Sequence, residues 1–228
     1  MRSLKAVIFD AYGTLIRNED MMLIPRRIVA DHGLPVPGED VWRCWIDLYH
    51  EATQSLPFRP LRDLQEWIFA RILRRFGVAG DPAPYVDLFF QVTTRATLYP
   101  EALGVLNALS PVRAAIVSNA DREHLAAWNF DLPVQAIVIS EAVRAYKPSR
   151  VMFQRALELL GVEPGEVLHV GDSDVDDVAG AKAARLRVVW VNRDGRSRRP
   201  DVPPPDFEIP DLRGLPALVR MLAEPSER

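Results

Sequence analysis

Short, continuous runs of apolar residues recur along the chain, and each ends at a polar or turn-forming residue. These runs occupy residues 7–9, 112–117, 136–139, 167–170 and 188–191. Their length and β-branched content predict buried strands. Amphipathic stretches lie between them, at residues 101–109, 122–128, 150–160 and 178–184. The alternation predicts an α/β fold with a Rossmann-like parallel sheet and helices on both faces.

Residues 17–95 interrupt this alternation, because their pattern is helical throughout and rich in aromatic residues. Helices are predicted there over residues 21–32, 41–54, 61–76 and 85–96. We interpret the segment as an all-helical cap domain inserted after the first strand. Residues 1–16 and 96–228 then form the core and residues 17–95 form the cap. A proline-rich connector at residues 200–205 precedes a closing helix predicted over residues 211–223.

Composition and charge narrow the class of protein further. The chain has 228 residues, 48% of them apolar, and a net charge of −3, which gives no reason to expect a nucleic-acid or membrane partner. The single cysteine, Cys44, excludes an internal disulfide framework and fits a reducing compartment, so we expect a cytoplasmic protein. The basic segment 193–199 (RDGRSRR) is predicted to be a solvated loop. Nothing in the sequence indicates an oligomeric state.

The residues with most chemical potential lie where the predicted strands end. Asp10 follows the first run, Ser118 and Asn119 follow the second, and Asp172 follows the fourth. Lys147 comes after the third run. Ligands of an open parallel sheet bind beyond the carboxyl ends of its strands, so we expect these side chains to converge on one crevice.

An acidic cluster begins at the end of the fourth predicted strand. It contains Asp172, Asp174, Asp176 and Asp177. Carboxylates this close raise one another's pKa, so either some of them cap the helix that follows or a cation neutralises them. Asp172 is nearest the strand end and is the candidate ligand. Oxygen ligands of this kind suit Mg²⁺.

Four motifs appear in order along the chain: FDAYGTL at residues 9–15, VSN at 117–119, KP at 147–148 and GDSDVDD at 171–177. With them the chain resembles the haloacid dehalogenase superfamily over nearly its whole length. The resemblance implies a Rossmann-like core with a mobile helical cap after the first strand. It also implies a hydrolase that acts on a small molecule, which we expect to be anionic.

The resemblance further implies the roles of particular residues. Asp10 would be the nucleophile, and the second motif would contribute Ser118 and Asn119. Thr14 and Ser118 would hold the transferred group, while Lys147 would balance its charge.

The resemblance also implies a magnesium site. Its ligands would be Asp10, the backbone carbonyl of Tyr12 and Asp172, with Asp177 in support.

Two subfamilies remain open. Phosphatases of the superfamily usually carry an acid/base Asp where this chain has Tyr12, and the Tyr form resembles the 2-haloacid dehalogenases. Dehalogenases, however, need no metal, and they carry Ser, Asn and Tyr where this chain has Asp172, Asp174 and Phe153. We therefore favour a Mg²⁺-dependent phosphatase that forms an aspartyl-phosphate on Asp10 without the usual acid/base. The alternatives are a dehalogenase acting through an Asp10 ester and a non-catalytic binding module on the same fold.

Overall fold

The computed structural model describes residues 3–17, 19–55, 57–95 and 97–224, without the side chains of residues 19 and 20. Within these ranges the strands are β1 (Ala6–Phe9), β2 (Arg113–Ser118), β3 (Ala136–Ile139), β4 (Val167–Gly171), β5 (Arg187–Val191) and β6 (Phe207–Ile209). The α-helices are α1 (Leu23–His32), α2 (Gly38–Thr53), α3 (Leu61–Arg75), α4 (Ala83–Thr94), α5 (Ala102–Ala108), α6 (Arg122–Ala127), α7 (Ser140–Val143), α8 (Arg150–Leu160), α9 (Gly180–Ala183) and α10 (Leu215–Ala223). Short 3₁₀ turns occur at Glu19–Met22, Pro164–Glu166 and Leu212–Gly214, and a π-helical turn spans Asp174–Ala179. None of the helices in the described ranges combines the length and the hydropathy needed to cross a membrane.

The strands form one parallel sheet in the order β3-β2-β1-β4-β5-β6. β1 is central, and Ile8 lies opposite Ala115 on one side and His169 on the other. Every residue of β1 is buried, because helices cover both faces of the sheet. The predicted α/β fold with a parallel sheet is confirmed. The pattern missed β6, whose three residues are too few to give a recognisable run.

The hydrophobic core of the sheet explains why its strands read as continuous apolar runs. Ile8, Val117 and Val188 pack in one cluster with Phe153 of α8 and Val178 of the π-helical turn. A strand covered on both faces has no solvent side, so it carries no alternation of polar residues. The packing also fixes the strand ends at one edge of the sheet, where the chemistry is expected.

The chain packs as two compact units. The first comprises Met1–Arg17, Thr97–Asn119 and Asn129–Arg228, and the second comprises Asn18–Ala96 and Ala120–Trp128. The predicted division differs from this one in the short stretch after Asn119, which groups with the helical unit and not with the sheet. α6 lies in this stretch.

Polar contacts explain why α6 groups with the helical unit. The carboxylate of Asp121, the residue before α6, accepts a hydrogen bond of 2.9 Å from the backbone N–H of Leu61 at the start of α3. His124 Nε2 lies 3.0 Å from the hydroxyl of Thr93 in α4. Both contacts are buried, so they compensate these polar groups for the hydration that they lose on folding.

Candidate active site

The carboxyl ends of three neighbouring strands bring the predicted chemical residues together. Asp10 follows β1 directly, and its backbone N–H donates to the carbonyl of Val170 in β4 at 2.9 Å. Ser118 is the last residue of β2, and Asp172 follows β4. Because β2, β1 and β4 are adjacent and parallel, all three residues lie at one edge of the sheet.

Lys147 joins two of the carboxylates in this site. Its ammonium lies 2.5 Å from Asp10 Oδ1 and 2.7 Å from Asp177 Oδ1, and its side chain is only 2% exposed. Burial works to lower the pKa of Lys147, but the charges of Asp10 and Asp177 overcome this and raise that pKa well above its ordinary value. The lysine is therefore a permanent cation shared by two acids.

Asp177 is also held by a histidine. His169 Nε2 lies 3.0 Å from Asp177 Oδ1, and the His169 ring packs edge-on against Phe153 at 5.0 Å between centroids. Burial favours the neutral form of Asp177, but Lys147 and then His169 outweigh it and hold its pKa below the ordinary value. Burial lowers the pKa of His169, so the ring is neutral near pH 7. His169 is thus a packed, hydrogen-bonded residue.

Among the described residues, Asp172 and Asp176 have no cation as close as Lys147 is to Asp10 and Asp177. Oxygens of Asp10, Asp172 and Asp177 lie within 4.8 Å of one another. Burial raises the pKa of Asp10 to about 6, and that of Asp176 to about 8. Burial followed by the charges of Asp10 and Asp177 raises the pKa of Asp172 well above its usual range. The site therefore contains more carboxylates than Lys147 can neutralise, and without a further cation burial favours the protonated form of some of them.

The geometry fits a divalent cation. Among the described residues, Asp10 Oδ2 is buried without a hydrogen-bond donor. A side chain at Gly13 would collide with the carboxylate of Asp172, and φ of Gly13 is +92°, so glycine is required there. Three converging carboxylates with a free oxygen match the hard oxygen ligands that Mg²⁺ prefers.

Asn119 anchors the main chain of Lys147. Its Oδ1 accepts from the Lys147 N–H at 2.8 Å, and its Nδ2 lies 3.3 Å from both the Lys147 carbonyl and Asp176 Oδ2. Ser118 and Thr14 are buried in the same unit, and the Thr14 hydroxyl is a buried oxygen without a partner among the described residues. A buried hydroxyl of this kind is available to a ligand.

The basic segment 193–199 is closer to the site than the sequence suggested. Arg196 donates to the carbonyl of Asp172 at 3.2 Å, and the backbone N–H of Arg199 donates to Asp174 Oδ2 at 2.9 Å. The segment is a loop, as expected, and its residues 194–197 are exposed. One sequence signal could have indicated these contacts. The segment is rich in arginine, and the acidic residues at 172–177 are its natural partners by charge.

The expectation of a solvated loop is wrong for Arg193, whose contacts with the first motif the sequence did not reveal. Its guanidinium donates to the carbonyls of Gly13 at 3.2 Å and Thr14 at 2.9 Å, and it forms an ion pair of 2.9 Å with Glu101. The Arg193 side chain is only 19% exposed. Its contacts lie on the loop that carries the first motif.

Three successive residues of α2 show how the helical unit is built. The Trp45 ring is buried, donates to Gln65 Oε1 at 2.9 Å and packs on Phe69, so it belongs to the core of this unit. Arg43 is exposed and pairs with Asp40 in the same helix. Cys44 is a buried free thiol.

Comparison with known proteins identifies the family. The family of haloacid dehalogenase-like hydrolases matches residues 4–185. The chain therefore belongs to this family and is a hydrolase.

Individual relatives fall into two groups. The chain is 29% identical to the (S)-2-haloacid dehalogenase of Xanthobacter autotrophicus over 96% of each chain. It is 34% identical to the phosphoserine phosphatase of Thermus thermophilus, over 71% of this chain and 65% of the phosphatase. The structure of L-2-haloacid dehalogenase from X. autotrophicus superimposes with a TM-score of 0.76 at 28% identity, covering 96% of this chain and all of that one.

Proposed function

We propose that this chain is a Mg²⁺-dependent phosphatase that forms an aspartyl-phosphate on Asp10. The observation that supports the proposal is the charge of the site. One ammonium, Lys147, interacts with the carboxylates of Asp10, Asp172, Asp176 and Asp177. Buried like charges are costly unless a cation compensates them, and a divalent ion supplies the missing charge.

Asp10, Asp172 and the backbone carbonyl of Tyr12 would hold the ion, with Asp177 in support. When bound, Mg²⁺ neutralises charge on the phosphoryl oxygens and so lets an anionic nucleophile approach. A dehalogenase has no comparable need for the ion. The carboxylate of Asp172 beside Asp10 would also repel the carboxylate of a 2-haloacid.

In the proposed reaction, Asp10 attacks phosphorus through one carboxylate oxygen. The bond from phosphorus to the leaving oxygen breaks, and its electron pair departs with that oxygen. Thr14 and Ser118 would bind the phosphoryl oxygens, and Lys147 would balance their charge. Water then attacks phosphorus and loses a proton to solvent, and the bond from phosphorus to Asp10 breaks. This releases inorganic phosphate and the free Asp10 carboxylate.

Tyr12 limits the substrate class under this proposal. Tyrosine with an ordinary pKa of about 10 is a poor general acid/base at neutral pH. The leaving group must then depart without a proton. Aryl and acyl phosphates satisfy this condition, whereas alkyl phosphates do not.

A second candidate, hydrolysis of 2-haloacids through an ester on Asp10, is favoured by two observations. The match to the X. autotrophicus dehalogenase covers 96% of both chains. A halide also leaves without a proton, so Tyr12 would be no handicap.

The test is an activity screen on an aryl phosphate, an acyl phosphate and 2-chloropropionate, each with and without EDTA. We expect phosphate release that EDTA abolishes and added Mg²⁺ restores. Chloride release that persists in EDTA would establish the second candidate instead. The Asp10→Asn variant controls for contaminating hydrolases, since it removes the nucleophilic oxygen at nearly constant shape.

A further inference from the structure

The loop that follows β1 is stabilised internally by its own backbone. The N–H groups of Leu15 and Ile16 both donate to the carbonyl of Ala11 at 2.8 Å, and the N–H of Gly13 donates to the carbonyl of Ile16 at 2.7 Å. This pattern makes a tight turn, which the positive φ of Gly13 permits. It leaves the carbonyls of Gly13 and Thr14 without any part in the turn itself.

Arg193 takes both of these carbonyls. Its Nε donates to Gly13 at 3.2 Å and its Nη2 donates to Thr14 at 2.9 Å, across 180 residues of sequence. Two donors of the planar guanidinium thus bind the carbonyls of two successive residues. A lysine, with a single point charge, cannot reproduce this geometry.

Two further contacts hold the guanidinium in place. Glu101 Oε1 accepts from its third nitrogen at 2.9 Å, with the Glu101 side chain only 10% exposed. The guanidinium carbon lies over the ring of Tyr99, 3.5 Å from the ring centroid. Glu101 and Tyr99 therefore fix the orientation of the guanidinium independently of its contacts with the loop.

We propose that Arg193 is a positioning residue that holds the loop of residues 11–14 in register with Asp10. Through Thr14 it fixes the hydroxyl proposed to bind the transferred group, and through Gly13 it fixes the peptide next to Tyr12. The inference rests on the proposed function only to the extent that Asp10 is the reacting carboxylate. It holds whether Asp10 attacks the phosphorus of a phosphate or the halogen-bearing carbon of a 2-haloacid.

Hydrogen–deuterium exchange of the 228-residue chain, measured by mass spectrometry, tests this. The readout is the peptide covering residues 10–17, which contains the amides of Gly13, Leu15 and Ile16. In Arg193→Met this peptide should exchange at least about tenfold faster than in the wild type. Arg193→Lys should lie between the two, because it keeps the charge and reaches one carbonyl only.

Arg113→Met is the matched control. Arg113 is also half-buried and also donates to a backbone carbonyl, that of Leu160, but it lies at the opposite, amino-terminal end of β2. Its loss should leave the exchange of residues 10–17 unchanged. A general loosening of the unit would instead speed exchange in both variants.

Turnover is then measured with whichever substrate the wild type hydrolyses. We expect Arg193→Met to lose about 10–100-fold in kcat with KM changed little, since misplacement of reacting groups costs this much. Exchange at the wild-type rate, equal acceleration in Arg113→Met, or an unchanged kcat would each overturn the proposal. If Arg193→Met does not fold, the same readouts on Arg193→Lys decide. Absence of EDTA-sensitive phosphate release would overturn the phosphatase proposal alone, because the exchange experiment needs no substrate.

Discussion

At the scale of single residues, the site is governed by one lysine among several acids. Lys147 binds Asp10 and Asp177 directly, while the ion pair that Asp172 forms within the described residues is with the partly exposed Arg196, at 3.8 Å. An acid that lacks a close cation in a buried site either takes up a proton or binds a metal. The proposed function requires the second outcome, metal binding, at Asp172.

Tyr12 provides a first prediction. Tyr12→Asp supplies the missing general acid, so turnover of an alkyl phosphate should rise about 10–100-fold, within the range usual for acid–base catalysis. Turnover of an aryl phosphate should change little, because phenolate leaves without a proton. Tyr12→Asn has the same shape without the acid, and an equal gain in that variant would contradict the explanation. Steady-state kinetics on the two substrates makes the comparison.

Asp172 provides a second prediction. Asp172→Ser should lower phosphate turnover by at least about 10–100-fold, the loss usual when even an outer partner of a metal site is removed. Asp174→Asn is the control, because Asp174 lies outside the three-carboxylate group and its amide can still accept from the Arg199 N–H. The proposal fails here if the two variants hydrolyse aryl phosphate equally well.

Part of this site was predictable from local sequence, and part was not. Asp10 and Asp172 each follow an apolar run, so a parallel sheet necessarily brings them to one edge. Arg193 follows an apolar run too, but its partners are two backbone carbonyls 180 and 179 residues away. Backbone carbonyls carry no sequence signal, so a contact of this kind is found only in the structure.

At the scale of elements, α6 was likewise predictable from the sequence only in part. Its amphipathic pattern predicted the helix, and the structure has one at Arg122–Ala127. Its place with the helical unit depends on tertiary contacts, among them the ion pair of 3.1 Å between Arg62 and Glu123. The strands were predictable because burial on both faces leaves an unmistakable apolar run, which the three-residue β6 is too short to show.

Asp121 provides a third prediction, at this scale. It is the residue before α6, and its carboxylate also accepts from the Leu61 N–H. Asp121→Ala should lower the free energy of unfolding by about 1–3 kcal/mol, because it removes a helix cap and leaves a buried donor unsatisfied. Urea denaturation measures the change. Asp63→Ala, an exposed change in α3, should cost less than about 0.5 kcal/mol, and equal losses in both would refute the assignment.

At the scale of the whole molecule, the acidic site should make the metal-free protein sensitive to pH. Burial raises the pKa of Asp176 to about 8, so the folded state retains a proton that the unfolded state has lost. Stability therefore falls as the pH rises towards 8. Burial lowers the pKa of His169, which acts in the opposite direction, but only below the ordinary histidine pKa of 6.5.

The fourth prediction follows from this fall in stability with rising pH. In EDTA the melting temperature should fall between about pH 6.5 and pH 8, and Asp176→Asn should flatten the decline, because asparagine has no proton to lose. Added Mg²⁺ should raise the melting temperature most at the upper end of this range, where the carboxylates are ionised. Thermal denaturation followed by circular dichroism tests the trend, and a rising or level curve for the wild type would contradict it.

The central claim is that the carboxylates around Asp10 bind a divalent cation. Isothermal titration calorimetry of Mg²⁺ into the EDTA-treated, dialysed protein at pH 8 tests it directly, with Asp172→Ser as the comparison. We expect one equivalent of Mg²⁺ to bind the wild type, and at least about tenfold weaker binding to the variant. No binding heat in the wild type, or the same affinity in both proteins, would contradict the account.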